Sequence, residues 1–308
     1  MGYSNILLDY IGSTRVYPEA VGIMSVPQSQ ADKTRISALF DRLAAGYDHE
    51  ALRFFAFCAD QLVQRLAVST GQKILDVATG TGAAALTAAQ LAGPDGRVIG
   101  IDLSEAMLDR AAEKARALGL RNIDLHLMDA ESLEFRAGYF DGVMCGFGLF
   151  FVSDMARALG EWHRVLRPGG TVVFSAFAPG AFEPLAALFF DRLEREGLMP
   201  EGVSRPPVWH RLADLGRCRG LLAGAGFEAV KVDLEPIGYH LAGADQWWDV
   251  LWNSGFRALL EGMDLERRSQ FRAAHLADIA QTASAQGIRL EVPTLLAHGR
   301  KPLAKPAG

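Results

Sequence analysis

Apolar and polar positions divide this chain into stretches of different period. Lys73-Ile74-Leu75-Asp76-Val77 is a short, nearly continuous apolar run, and Ala78-Thr79-Gly80-Thr81-Gly82 follows it at once. Such a run bounded by glycine turns reads as a buried strand. Residues 83–92 carry no charge, with Thr87 and Gln90 as the polar members among Ala and Leu. A helix of that composition must be buried, and Gly93-Pro94 stops it. Val98-Ile99-Gly100-Ile101 then predicts a second strand ending on Asp102. Ser104 suits the N-cap of the next helix, whose Met107, Leu108, Ala111, Ala112, Ala115 and Leu118 line one face before Gly119. Residues 123–128 and 140–145 read as strands three and four. Asp154 caps a helix with Met155, Leu159, Trp162 and Leu166 facing inward, Arg167-Pro168-Gly169-Gly170 breaks it, and residues 171–176 form a fifth strand. Five β-α units with continuous apolar strands predict a parallel sheet covered on both faces.

The flanks follow other rules. Residues 1 to about 30 mix Gly, Ser, Pro and scattered apolar residues without a period, as an arm would. Ile36, Leu39, Phe40 and Leu43 recur at helical spacing, Ala45-Gly46-Tyr47-Asp48 interrupts them, and a second helix runs from about Glu50 to Leu66. After the fifth strand, Pro184 opens a helix that Gly197 closes, residues 200–207 are loop, and a helix spans about Leu212 to Ala225. Strands are expected at 228–237 and 290–298, with about fifty helical residues and Trp247, Trp248 and Trp252 between them. The expected organisation is an arm (1–35), a nucleoside-binding core (36–180), a helical insertion with a core helix (181–227), the last two strands with a helical lid between them (228–301), and a tail (302–308).

Composition narrows the partners. The chain has 308 residues, 50% hydrophobic and 22% charged, enough for a sizeable core. A net charge of −5 gives no electrostatic case for a nucleic-acid or membrane-surface partner. Cys58, Cys145 and Cys218 lie far apart without metal-ligand spacing, so reduced thiols in a cytoplasmic protein and no metal are expected. Asp9 sits in the N-terminal apolar stretch without a basic leader, unlike a signal peptide, and Ile6 stands where myristoylation needs a hydroxyl. No apolar run approaches the ~20 residues that span a bilayer. The assembly stays open, with a homodimer as one form.

The chemistry concentrates around the glycine loop. Strand, glycine turn, buried helix, second strand and terminal acid in that order mark a nucleoside-binding half-sheet, in which Gly80 and Gly82 let the backbone approach a ligand. Asp102, twenty residues after Gly82, is placed to accept from ribose hydroxyls. Gly80-Thr81-Gly82-Ala83-Ala84-Ala85 also satisfies a loose dinucleotide fingerprint, so a nicotinamide oxidoreductase is a rival, as is a donor-binding protein without catalysis.

Taken together, these pieces resemble the class I S-adenosylmethionine-dependent methyltransferases. Residues Leu75 to Gly82 match their glycine motif, Asp102-Leu103-Ser104-Glu105-Ala106-Met107-Leu108 their acidic second strand, Asp129-Ala130 their adenine position, and Arg167-Pro168-Gly169-Gly170 their turn before strand five. Leu39-Phe40-Asp41-Arg42-Leu43-Ala44, Tyr47-Asp48 and Phe147-Gly148-Leu149 are similar to the quinone-biosynthesis C-methyltransferase branch. That branch usually continues the last motif with Arg-Asn, and this chain has Phe150-Phe151. The resemblance implies a Rossmann-like α/β fold: seven strands, mostly parallel, with helices on both faces, a reversed last hairpin and a helical lid. It implies methyl transfer from S-adenosylmethionine to carbon or oxygen of a small, hydrophobic or aromatic acceptor. The donor residues it implies are Tyr47, Asp76, Ala78, Thr79, Gly80, Gly82, Asp102, Leu103, Met107, Asp129, Ala130 and Cys145. Phe147, Phe150, Phe151, Trp248 and Trp252 are the expected acceptor wall. A phenol acceptor, with pKa near ~10, would gain from a general base, for which His210, Tyr239 and His240 are the candidates.

Overall fold

A computed structural model describes residues 29–200 and 207–304. Most of the expected arm, most of the 200–207 loop and the end of the tail lie outside the described residues.

The glycine loop leaves the centre of a parallel sheet. β1 (Lys73–Val77) pairs with β2 (Arg97–Asp102) on one side and β4 (Phe140–Gly146) on the other. β3 (Ile123–Leu127) lies beyond β2, and β5 (Leu166–Phe177) lies beside β4. β6 (Glu228–Glu235) and β9 (Thr294–Arg300) complete the sheet in the order β3-β2-β1-β4-β5-β9-β6, with β9 antiparallel to both its neighbours. This is the seven-stranded, Rossmann-like α/β architecture expected from the sequence, with its reversed edge. Strand order turns back between β1 and β4, so their carboxyl ends open a crevice there.

Helices cover both faces, in keeping with the fully buried middles of β1, β4 and β5. α1 (Gln30–Leu43) and α2 (Phe54–Leu66) precede the sheet, and α3 (Ala83–Ala92), α4 (Glu105–Ala117), α5 (Met155–Val165) and α7 (Leu215–Gly224) connect its strands. α2 comes down closely on β4. A Cβ at Gly142 would stand 2.8 Å from Leu66, and one at Gly146 would stand 3.3 Å from Leu62. Cys58 continues that stripe one turn earlier and is buried.

Three local expectations change. α1 begins at Gln30 and not near Ile36, because Ser29 and Asp32 form a reciprocal capping box whose polar first turn carries no apolar period. Leu166 starts β5 and does not belong to the preceding helix, since pairing with Phe140 captures it. The stretch expected as one strand at 290–298 is split at Pro293. Its first part, β8 (Ile288–Glu291), pairs with β7 (Gly238–Leu241) in a separate two-stranded sheet.

The inserted helices α6 (Leu185–Arg195), α8 (Ala244–Trp252), α9 (Arg257–Leu260) and α10 (Leu265–Ala280) pack as one body around Phe189, Phe256 and Phe271. Trp247 Nε1 donates to His275 Nε2 at 2.9 Å in its fully buried interior. Burial pushes the His275 imidazole down to about 4, so it stays neutral. The body is tied to α1 where Arg42 and Arg257 both meet Glu261.

Candidate active site

Two backbone segments meet at the crevice. Ala78 after β1 and Phe147 after β4 both hold left-handed conformations, with φ of +54° and +52°. Gly148 lets them touch: a Cβ there would lie 2.5 Å from the Ala78 Cβ and 3.0 Å from the Cys145 sulfur. Non-glycine residues in this region are strained, and such strain gathers at functional sites.

Asp102 ends β2 beside the loop. The Gly80 N–H donates to its Oδ2 at 2.8 Å, and the Ser104 N–H donates to its Oδ1 at 2.9 Å. Burial raises its pKa, and these backbone hydrogen bonds work against that rise. A carboxylate offers about four lone-pair sites, more than these N–H groups fill. Asp76 is 1% exposed and accepts from Thr79 Oγ1 at 2.7 Å. Burial, reinforced by Asp102 nearby, pushes its carboxyl up to about 7. Burial and the charges of Asp102 and Asp48 hold the Tyr47 phenol well above its ordinary range, so it remains a neutral hydroxyl.

Residues that carried the quinone-branch likeness turn out to hold the entrance together. Asp41 accepts from Ser104 Oγ at 2.6 Å, and Asp48 accepts from Thr81 Oγ1 at 2.7 Å and pairs with Lys114 at 2.9 Å. Ser37 Oγ donates to the Leu103 carbonyl at 2.7 Å, so α1 lies along the β2 side of the crevice.

The crevice has three compartments. One, about 100 Å³, is lined by Asp102, Leu103, Met107, Asp129 and Ala130. The second, about 480 Å³, reaches Asp76, Ala78, Thr79 and Gly80. The third, about 50 Å³, is walled by aromatic rings: Phe54, Phe55, Phe150, Phe177, Phe182, Trp209 and Phe256. Tyr47 and Phe147 line all three. The Tyr47 ring stacks on Phe55 at 4.8 Å, and Phe147 stacks on Phe177 at 4.3 Å.

Most expected donor residues therefore converge on the first two compartments. Gly82 does not reach them. It caps α3 at φ +85°, and a Cβ there would sit 3.0 Å from Ala111, so it serves the packing of α3 on α4. Cys145 is buried behind Gly148 and lines none of the three. Among expected acceptor residues, Phe147, Phe150 and Phe151 line the aromatic chamber. Trp248 and Trp252 do not; Arg272 lies over Trp248, and Arg257 and Arg268 lie over Trp252. The base candidates also fall outside the three compartments. Tyr239 Oη donates to the Ala51 carbonyl at 2.6 Å, and burial pushes its phenol up to about 12. The His240 carbonyl accepts from Arg53, and His210 is exposed at the short turn after Pro207.

Sequence reasoning missed Lys33, which bridges Asp129 at 2.8 Å and also pairs with Glu131 across the mouth of the first compartment. It also missed Phe54, Phe55, Phe177, Phe182, Trp209 and Phe256, whose apolar character looked like ordinary core. Among the described residues no cluster of metal-ligating side chains occurs, and no helix is long and apolar enough to cross a membrane.

Fold and crevice define a nucleoside-binding α/β protein of the class I methyltransferase kind. The sequence profile of the ubiE/COQ5 methyltransferase family matches residues 28–198, and the chain belongs to that family. It is an S-adenosylmethionine-dependent methyltransferase. Among its relatives is aklanonic acid methyltransferase DauC of Streptomyces sp. (strain C5), 34% identical over 68% of this chain and 100% of that protein. Nocamycin O-methyltransferase of Saccharothrix syringae is 29% identical over 88% of this chain and 99% of its own. In fold the chain is similar to the [4+2]-cyclase SpnF, at a TM-score of 0.55 and 20% identity, covering 91% of this chain and 100% of that one.

Proposed function

We propose that this enzyme methylates carbon or oxygen of a flat, largely apolar acceptor held in the aromatic chamber. The observation that carries this reading is that Tyr47 and Phe147 belong at once to the donor compartments and to the ring-lined one. A methyl group at that junction faces rings on the acceptor side. In this reading Asp102 accepts from the ribose hydroxyls, Asp129 and Ala130 border the adenine, and Asp76 faces the ammonium of the donor. Reaction then needs in-line approach in a place that excludes water, which positioning supplies. The chamber's present free volume, about 50 Å³, is below the ~150 Å³ that admits benzene, so its walls open to let a ring enter. The names of the two relatives, aklanonic acid methyltransferase and nocamycin O-methyltransferase, support a small-molecule acceptor other than a quinone precursor. Buried thiols at Cys58, Cys145 and Cys218 support a reducing, cytoplasmic setting.

Phe150 and Phe151 argue against quinone-pathway acceptors. A hydroxyl buried against those rings would lose a partner at a cost of ~1–3 kcal/mol. The test is transfer of labelled methyl from S-adenosylmethionine to 2-naphthol, 1-hydroxyanthraquinone, anthraquinone-2-carboxylic acid and demethylmenaquinol. Labelling of the anthraquinones above demethylmenaquinol is expected. Preferential labelling of demethylmenaquinol, or rescue of a host lacking its quinone C-methyltransferase, would show a quinone enzyme instead.

A further inference from the structure

Phe147 is buried, φ is +52°, and its ring stands between donor and acceptor compartments. Such a conformation is strained for a non-glycine residue and persists only where the surroundings impose it. Its neighbours Gly146 and Gly148 impose nothing, since neither has a side chain.

The constraint comes from β5. The Phe147 N–H donates to Ser175 Oγ at 3.0 Å, a fully buried hydroxyl. Two residues on, and so on the same face of the strand, the Phe177 ring stacks on Phe147 with an interplanar angle of 20°. Phe54 and Phe55 meet the ring edge-on at 6.2 and 5.6 Å. Behind Ser175 lies Cys58, brought in by the close seating of α2 on Gly142 and Gly146. Its thiol, pushed up to about 12 by burial, lies beside the Ser175 hydroxyl, which works against that rise. The Ser175 oxygen accepts from the Phe147 amide. One strand grips the backbone of Phe147 with a hydroxyl and its ring with a ring. Ser175 itself lines none of the three compartments.

We propose that Ser175 is a positioning residue for the acceptor: through its hydrogen bond it fixes Phe147 as the wall on which the acceptor ring rests at the transfer point. This rests on the reading of the aromatic chamber as the acceptor's place. A neutral hydroxyl suits the task, because its oxygen accepts from the amide without placing a charge in the dry core. Alanine would leave the amide unpaired in a dry site, and Phe147 would relax from the left-handed region and turn its ring.

The test measures binding of 1-hydroxyanthraquinone, by its visible absorbance, and of S-adenosylhomocysteine, by calorimetry, to the full chain and to Ser175→Ala and Ser175→Thr. Ser175→Ala is expected to weaken the anthraquinone at least tenfold while S-adenosylhomocysteine stays within threefold. Ser175→Thr, which keeps the hydroxyl, should restore it. If Ser175→Ala does not fold, Ser175→Cys, close in volume and a weaker acceptor, should show an intermediate and equally selective loss. Unchanged anthraquinone affinity in the variants, or equal loss of both ligands in step with the melting temperature, overturns the role of Ser175 alone. Failure of the unaltered protein to bind the anthraquinone overturns the acceptor reading and this inference with it.

Discussion

The two sides of the crevice are built by different means. On the donor side, backbone and charge do the work: Asp102 takes N–H groups from Gly80 and Ser104, Asp76 takes a hydroxyl from Thr79, and all lie within about thirty residues of chain. On the proposed acceptor side, rings from α2, the β4 loop, β5, the turn before α7 and the segment before α9 close a chamber without a charged side chain among its lining residues. A polar site needs fixed donors and acceptors, which a tight local turn supplies. An apolar chamber needs only surface of the right shape, and remote segments can contribute it. The donor side should therefore fail residue by residue, and the acceptor side by shape.

The sharpest break should come at Asp102. Asp102→Ala removes the carboxylate proposed to accept from both ribose hydroxyls, a loss of ~1.5–3 kcal/mol. S-adenosylhomocysteine affinity, read by calorimetry, should fall about 10- to 150-fold. Tight NADH binding with no response to the sulfonium donor would undo the donor assignment.

The acceptor side is tested next by Phe256→Leu, which trims the chamber wall while keeping bulk. Discrimination among acceptors should move ~10–100-fold toward broader rings, from an estimated 1–3 kcal/mol of pocket contact, and donor affinity should hold within twofold. Competition between 2-naphthol and 1-hydroxyanthraquinone for labelled methyl reads this out. Equal loss for every acceptor would mean that Phe256 is core and no part of the wall. Trp252→Ala makes a useful contrast, since its ring meets Arg257 and Arg268 outside the chamber. It should lower the melting temperature and leave acceptor preference alone.

The smallest expected effect is a proton linkage at Asp76. With its carboxyl pushed up to about 7, it is neutral below that pH and charged above it. If it faces the donor's ammonium, S-adenosylhomocysteine should bind more tightly as pH rises from 6 to 8, by at most ~10-fold per unit below the pKa. The curve should flatten above the pKa, and Asp76→Asn should remove the slope. In the ligand-free protein the sign is opposite. A raised carboxyl pKa adds stability below the unfolded value near ~3.9, and that contribution is lost as pH rises through about 7. Thermal stabilisation by the ligand should therefore grow across the interval in which the free protein weakens.

The sequence by itself determined the sheet, the glycine loop and the acid at 102, because each is a local matter. A strand period of two, a glycine that frees a turn and a serine that caps a helix act within a few residues. Even the hydroxyl of Ser29 could have announced α1 six residues early, had the capping box been weighed against the missing apolar period. The tertiary structure alone decided which phenylalanines form a chamber and which form core. Phe189 and Phe256 read alike in sequence, yet one is enclosed in the helical insertion and the other faces Phe182 and Trp209 across the cavity. Burial is signalled by residue type, but whether a buried ring meets another ring or an empty space depends on segments hundreds of residues apart. Tyr239, Trp248 and Trp252 show the same limit: their chemistry suited a site, and packing gave it to a carbonyl and three guanidinium groups.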